Sequence, residues 1–256
     1  MVVLLNRIRA KKKADPAQTG SAAAPPWRVC VLFAIVVFAS LNAWNRISQH
    51  HSPGCPAYRP APGLVLVAHG AGGMPDRMYP NSISALDRSY ADGLRVFEMD
   101  FHELPFGQIR TGHDMIDVLD PRGAWLSDVI AWFRRHPDAR LITDMKTDNI
   151  SGLTIIAREA PDLRRHIAPF MYQESEYAAV RALGFLPPVF ALFANHDPDW
   201  LAFANSHAFT AVTWRHDDPG GLPPVHHPII VHTLDSAPNI PGAWGVITNC
   251  LTPAQG

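Results

Sequence analysis

From residue 63 to the end of the chain, short apolar runs alternate with stretches whose apolar residues recur at helical spacing. The runs predict strands and the stretches between them predict helices. The strand candidates are Leu64–Ala68, Val96–Phe101, Gln108–Gly112, Leu141–Met145, Ile167–Tyr172, Val189–Phe193, Phe209–Trp214, Ile229–Thr233 and Gly245–Thr248. The helix candidates are Asn81–Ala91, Asp128–Arg135 with Ser127 as its cap, Ser151–Glu159, Glu174–Leu183 and Pro198–Asn205. This alternation predicts parallel βαβ units and an α/β fold, a TIM-type (β/α)8 barrel, with one strand candidate in excess.

A different pattern precedes the barrel. The 16 residues of Val29–Trp44 carry no charge, which is close to the lower limit of about 17 residues for a membrane-spanning helix. Basic residues lie before this segment, so the positive-inside rule places them in the cytoplasm. We predict a basic cytoplasmic tail (1–28), a single transmembrane signal anchor (29–45), a tether (46–62) and a barrel domain (63–256) on the periplasmic or extracellular side.

Two other interpretations of the apolar segment are a buried core helix and a cleaved signal peptide. A signal peptide has a short basic region and a small-x-small cleavage site. Here 28 residues precede the apolar segment and no clear Ala-x-Ala follows it. The sequence therefore favours an uncleaved anchor, and the membrane is a predicted partner of the chain.

The charge balance excludes one class of partner. With 47% hydrophobic and 18% charged residues, the 256-residue chain is not disordered. Its net charge of −1 combines +6 over residues 1–50 with −7 over the rest, so the barrel is acidic and we expect no nucleic-acid partner.

Cys55 and Cys250 would share an oxidising compartment and could pair, or they are two unrelated thiols.

Titratable residues collect where four successive predicted strands end, and active sites of such barrels lie at that end. They are His69, then Glu98, Asp100 and His102, then His113 and Asp114, and then Asp144 and Lys146. Glu98 and Asp100 are two apart in a strand and share a face. With Asp144 they offer three oxygen ligands, a set that suits Mg²⁺ or Ca²⁺. Alternatively, the acids form salt bridges with Arg95 or Arg110.

Two histidines and a lysine complete the candidate catalytic set. His69 and His113 beside a metal suit general acid–base chemistry. Lys146 is the only lysine after residue 50, where the chain has 14 arginines, and its ammonium suits a phosphate or a developing oxyanion. The alternative for Lys146 is an ion pair with Asp144 or Asp148. Asp114 could fix the tautomer of His113 or simply cap the next loop.

The arrangement of these residues resembles the glycerophosphodiester phosphodiesterase family. The family pattern runs His-Arg-Gly, Pro-Glu-Asn-Thr, Glu-Leu-Asp-x-His, Gly, His-Asp, Glu-x-Lys, Thr-Val-Asn and Thr-Asp. It appears here as His69-Gly70-Ala71, Pro80-Asn81-Ser82, Glu98-Met99-Asp100-Phe101-His102, Gly107, His113-Asp114, Asp144-Met145-Lys146, Thr233-Leu234-Asp235 and Thr248-Asn249. Three departures are Gly70 for arginine, the missing glutamate of Pro-Glu-Asn, and Asp144 for glutamate, as in the sphingomyelinase-D-like branch.

The resemblance implies metal-dependent hydrolysis of a phosphodiester, with His69 and His113 as the acid–base pair and Lys146 on the phosphate. We expect a small phosphodiester or lipid-derived substrate. Two alternatives stay open: a phospholipase-D-like or sphingomyelinase-D-like enzyme that acts on intact lipids, and a catalytically silent barrel that binds ligands in the cell envelope.

Overall fold

The computed structural model describes residues 31, 33–41, 63–74, 78–192, 199–217, 221–235, 240–250 and 252. The chain divides into two units, Met1–Ala43 and Trp44–Gly256. In the first unit, residues 31 and 33–41 belong to a helix, α1, whose described side chains are exposed. Across the described residues, no helix has both the length and the apolar character needed to cross a bilayer. The tail, the tether and the rest of the predicted anchor lie outside the described residues.

The second unit is built around nine strands. They are β1 (Val65–Ala68), β2 (Val96–Leu104), β3 (Gln108–Thr111), β4 (Arg140–Met145), β5 (Ile167–Met171), β6 (Val189–Ala191), β7 (Ala211–Arg215), β8 (Ile229–His232) and β9 (Gly245–Thr248). All except β3 pair in parallel, in the order β1-β9-β8-β7-β6-β5-β4-β2. Pairing of β1 with β2 closes the sheet. The prediction of a TIM-type barrel is therefore confirmed.

The ninth strand, β3, lies outside the closed barrel. β2 continues past the barrel and pairs with β3 as an antiparallel hairpin, from Phe101 opposite Thr111 to Leu104 opposite Gln108. The turn needs a left-handed backbone at Phe106 (φ 68°) and Gly107 (φ 71°). The hairpin therefore extends from the end of β2 that carries Glu98 and Asp100.

Helices separate most of the strands and cover the barrel. They are α2 (Ile83–Ala91), α3 (Met115–Val118), α4 (Leu126–Arg135), α5 (Asn149–Glu159), α6 (Tyr177–Ala182) and α7 (Trp200–Ser206). The predicted Ser127 cap is wrong, because the buried Leu126 already belongs to α4 and the Asp128 carboxylate accepts from the Trp125 backbone N–H. The short α3 was not predicted, and its cap is Asp114, which accepts from the N–H groups of Ile116 and Asp117.

Alternation along the strands sorts their side chains between two cores. On β2, Phe97, Met99 and Phe101 pack outward against the helices. The barrel interior is a separate apolar cluster that includes Val67, Ile142 and Ile247. Since Glu98 and Asp100 alternate with the outward residues, they face the interior, at its carboxyl end.

Cys250, just after β9, is disulfide-bonded. Cys55, one candidate partner, lies outside the described residues, as does Cys30.

Candidate active site

The three predicted acids meet at the carboxyl end of the barrel. Asp100 on β2 is paired in register with Asp144 on β4, and Glu98 lies one interior position below Asp100. All three side chains are buried. One oxygen from each carboxylate lies within 4.8 Å of one oxygen of each of the others, so the cluster could hold a metal ion. No salt bridge to Arg95 or Arg110 occurs among these acids; within the described residues, Arg95 pairs with Asp138 instead.

Lys146 lies over this cluster. Its Nζ is 2.7 Å from Asp144 Oδ2 and 2.9 Å from Asp100 Oδ1, and its side chain is 22% exposed. The ion pair with Asp144 that the sequence left open is therefore present. Asp148 instead caps α5 by accepting from the Ser151 N–H. The ammonium thus reaches both the acids and the open end of the barrel.

Burial and mutual repulsion set the protonation of the acids. Burial, followed by the charges of Asp100 and Asp144, raises the pKa of Glu98 well above its usual value. Burial also raises the pKa of Asp144, although Lys146 opposes it. For Asp100, burial acts upward, but the Lys146 ammonium and His113 bring its pKa below the usual value. A second positive charge would let all three carboxylates ionise together.

A metal ion fits this donor set. Glu98 Oε1 and Asp144 Oδ1 are buried and have no hydrogen-bond partner in the described part of the chain. Buried carboxylate oxygens are normally hydrogen-bonded or bound to a cation. All the donors are oxygens, the ligand type of hard divalent cations. The unsatisfied oxygens and the repulsion among the acids both favour a cation at this point.

His69 follows β1 in a tight turn that fixes it beside Glu98. The Gly70 N–H donates to Glu98 Oε2 at 2.8 Å, and His69 Nε2 lies 3.9 Å from the same oxygen. The Gly72 N–H donates to the His69 carbonyl, and the Gly73 N–H donates to the Asn249 carbonyl. The N–H groups of these glycines are therefore engaged within the protein, and they hold the turn together.

His113 reaches the site through the hairpin. After β3, the Gly112 N–H donates to the Asp100 carbonyl at 3.1 Å, which returns the chain to the barrel. A Cβ at Gly112 (φ 154°) would lie 2.7 Å from the Val118 backbone nitrogen, so only glycine fits. His102, the last residue of the Glu-x-Asp-x-His run, contacts the His113 carbonyl at 3.4 Å through Nε2. His113 itself is exposed at the mouth of the barrel.

Asn81 holds Asp100 in place. Its Nδ2 donates to Asp100 Oδ2 at 2.7 Å, and its Oδ1 accepts from the Asp100 N–H at 2.9 Å. The residue adopts φ 45°, a left-handed value that asparagine tolerates better than most residues. The short loop before α2 therefore fixes one carboxylate oxygen of Asp100 and leaves the other toward Lys146.

The last strands contribute residues that the sequence analysis did not assign to the site. His232 ends β8, and its ring lies edge-on to His69 at 5.3 Å between centroids. Burial is the main reason that the pKa values of His69 and His232 fall to about 4. Both imidazoles are therefore neutral near pH 7.

Tyr79 and Asp235 also border the site. The Tyr79 ring contacts His69 at 4.7 Å and is stacked on His113 at 5.8 Å. Asp235 accepts hydrogen bonds from the backbone and side-chain nitrogens of Asn249, at 2.7 and 2.8 Å. The position of Tyr79 directly before the Pro80-Asn81-Ser82 segment was the available sequence signal for the first of these residues.

Solved structures with the same fold are glycerophosphodiester phosphodiesterases and related enzymes. The enzyme from Parabacteroides distasonis superposes with a TM-score of 0.55 at 14% identity, covering 73% of this chain and 93% of that chain. The enzyme from Thermotoga maritima gives 0.54 at 12%, covering 74% and 96%. A phosphodiesterase from Oleispira antarctica, in complex with the product sn-glycerol-3-phosphate, gives 0.50 at 10%, covering 72% and 92%. No family model and no curated protein matches the sequence. The chain therefore has the barrel fold of these enzymes.

Proposed function

We propose that this chain is a metal-dependent phosphodiesterase that hydrolyses a glycerophosphodiester or a related lipid head-group ester. The observation that carries this proposal is the buried Glu98–Asp100–Asp144 cluster, with Lys146 above it and His69 beside it, at the carboxyl end of the barrel. The barrel fold of known glycerophosphodiester phosphodiesterases supports the same reaction class.

The acids and the lysine have separate tasks in this mechanism. Glu98, Asp100 and Asp144 would hold Mg²⁺ or Ca²⁺, since all three donors are carboxylates. A divalent cation held by these carboxylates would supply Lewis-acid polarisation of the phosphodiester. Lys146 is close enough to the same point for its ammonium to contact a phosphate oxygen and stabilise the charge that develops there.

The two histidines divide the proton transfers. His69 is buried and neutral, so it accepts the proton of the nucleophile, which is water or a substrate hydroxyl. His113 lies exposed at the mouth, where it protonates the leaving alkoxide and exchanges protons with solvent. Glu98 keeps His69 beside the acids through the backbone, because Glu98 Oε2 accepts from the Gly70 N–H at 2.8 Å and lies 3.9 Å from His69 Nε2.

We also propose that the barrel lies outside the cytoplasm, attached through the 29–45 segment. The basic tail, the uncharged run and the exposed apolar side chains of α1 support an anchor. The disulfide at Cys250 supports an oxidising compartment.

A specific observation keeps the action on intact lipids as a second candidate. Gly70 occupies the position at which the glycerophosphodiester phosphodiesterase family has an arginine. Asp144 replaces the glutamate of that family, as in the sphingomyelinase-D-like branch. These differences concern the substrate rather than the barrel or its acids. A silent binding barrel would share the glycine but would have no need for the complete set of two histidines, three acids and one lysine.

The deciding experiment is an assay of the full-length purified chain with Mg²⁺ or Ca²⁺, on a soluble glycerophosphodiester and on the matching intact phospholipid. We expect turnover of the soluble diester and its loss with EDTA. Turnover of the intact lipid alone would identify the second candidate. Absence of turnover on both, with metal bound, would identify a binding protein and contradict the proposal.

Metal binding itself is tested by thermal unfolding. Asp144→Asn keeps the shape of the side chain and removes one charge, so the rise in melting temperature on adding Mg²⁺ or Ca²⁺ should shrink, because the cation stabilises the folded state by mass action. Asp162→Asn is a matched control, since Asp162 forms an exposed ion pair with Arg134. Equal metal-induced shifts in the wild type and Asp144→Asn would remove Asp144 from the metal site.

A further inference from the structure

The space beside His69, where the resembling family has an arginine, is occupied by Tyr79. Gly70 adopts φ 54°, and a Cβ at this position would lie 3.0 Å from Tyr79 Cα and 3.1 Å from Tyr79 Cβ. A side chain at position 70 would therefore have to displace the backbone of residue 79. The glycine and the tyrosine are two parts of one local arrangement.

The Tyr79 ring lies between the two candidate catalytic histidines. It meets His69 edge-on at 4.7 Å and is stacked on His113 at 5.8 Å with an interplanar angle of 27°. The ring is half-buried, so it borders both the protein interior and the open mouth. A substrate that lies within reach of both imidazoles also lies against this ring.

The hydroxyl of Tyr79 is a neutral donor among negative charges. Burial, and then the charges of Asp235, Asp100 and Glu98, raise the pKa of Tyr79, so the phenol keeps its proton near neutral pH. Lys146 is already engaged by Asp100 and Asp144. A phosphate at this mouth therefore gains from a further donor beside His69 and His113.

We infer that the Tyr79 hydroxyl donates a hydrogen bond to a nonbridging phosphate oxygen of the substrate, in the place that an arginine would take after His69. This inference rests on the proposed phosphodiesterase function and adds a phosphate-binding residue to it. Because a phenol brings no positive charge, the site gains less from a second negative charge on the ligand than a guanidinium site would. A singly charged diester should therefore compete well against a doubly charged phosphate monoester.

The test compares Tyr79→Phe with the wild type in the full-length chain. The phenylalanine ring keeps the contacts with both histidines, so the melting temperature should not change. Loss of a hydrogen bond to a charged acceptor should lower kcat/KM for the soluble diester by about 10- to 100-fold, mainly through KM. Binding of inorganic phosphate, measured by calorimetry without turnover, should weaken by a similar factor.

The control is Tyr90→Phe. In the wild type, the Tyr90 hydroxyl donates to Asp138 at the other end of the barrel. It should keep wild-type kcat/KM and phosphate affinity. If the wild type hydrolyses diesters and Tyr79→Phe keeps its kcat/KM and phosphate affinity, the inference is wrong and the proposed function stands. If the wild type hydrolyses nothing, the calorimetric comparison still decides, and equal or undetectable phosphate binding by both proteins overturns the inference.

Discussion

The two ends of the barrel differ in the solvent exposure of their charged side chains. At the amino end, Arg95 pairs with Asp138 at 2.8 Å, and the Tyr90 hydroxyl donates to the same carboxylate. Both charged side chains are about half exposed there. At the carboxyl end, Asp100 and Asp144 are buried and share the ammonium of Lys146, and Glu98 has a buried oxygen without a hydrogen bond among the described residues.

This difference separates charges that tolerate solvent from charges that need a ligand. Exposed ion pairs are already hydrated, so they gain little from pairing and lose little when broken. Buried acids of one sign are costly unless a cation or a proton joins them. The comparison therefore predicts where substitutions change activity, where they change the response to pH, and where they change almost nothing.

The largest effect is expected for the histidines at the carboxyl end. His69→Ala or His113→Ala should each lower kcat on the best diester by about 10²- to 10⁴-fold, because each removes one proton transfer. The control is His166→Gln at the amino end, where the His166 ring contacts Arg140. Steady-state kinetics measure all three. If both alanine variants kept wild-type kcat, neither histidine would be an acid–base catalyst.

The next effect concerns acid stability. Burial lowers the pKa of His232 from 6.5 to about 4, so the folded state disfavours its charged form. Its contribution to stability is present above pH 6.5 and is lost as the pH falls toward 4. In EDTA, the unfolding free energy of His232→Gln should fall by about 2 kcal/mol less than that of the wild type between pH 7 and pH 4.5. Urea unfolding at the two pH values measures this difference. Parallel losses in both proteins would contradict a buried neutral imidazole.

A smaller effect is expected for the pair that closes the last two strands. Asp235→Asn removes the charge but keeps one acceptor oxygen for Asn249, so it should cost about 0.5–1.5 kcal/mol of unfolding free energy. Asn249→Asp alone places two carboxylates together. The double variant exchanges the two side chains, as the resembling family has them, and should recover part of the loss in a double-mutant cycle. Strictly additive losses would show that the two side chains do not interact.

The smallest effect is expected at the amino end. Arg95→Gln breaks an exposed pair with Asp138, so the urea midpoint and kcat/KM should stay close to those of the wild type. A large loss of activity in this variant would mean that the two ends of the barrel are coupled and would remove the distinction between them.

The sequence predicted the strands better than the details around them. All nine strand candidates are strands, because runs such as Ile167–Met171 are apolar on both faces, as a barrel between core and helices requires. One candidate was counted as excess without being identified, since periodicity does not distinguish a hairpin strand such as β3 from a barrel strand. The Ser127 cap failed because the helix begins two residues earlier, at the buried Leu126, which is a tertiary effect.

The site was predictable where chemistry repeats at strand ends and unpredictable where packing decides. The i, i+2 spacing of Glu98 and Asp100 gave their common face directly. Tyr79 and His232 were missed as parts of the site because one lies in a loop and the other ends a late strand. Only the closed barrel brings both within ring contact of His69.

The engagement of Lys146 has a practical consequence for chemical conjugation. After residue 50 this is the only primary amine on a side chain, whereas Lys11, Lys12 and Lys13 crowd the tail. Burial would lower the pKa of Lys146, but Asp100 and Asp144 raise it above its usual value, so the reactive uncharged amine is scarce. Amine-directed labels and resins should therefore attach through the tail or the N-terminus, leaving the barrel unmodified and its mouth accessible.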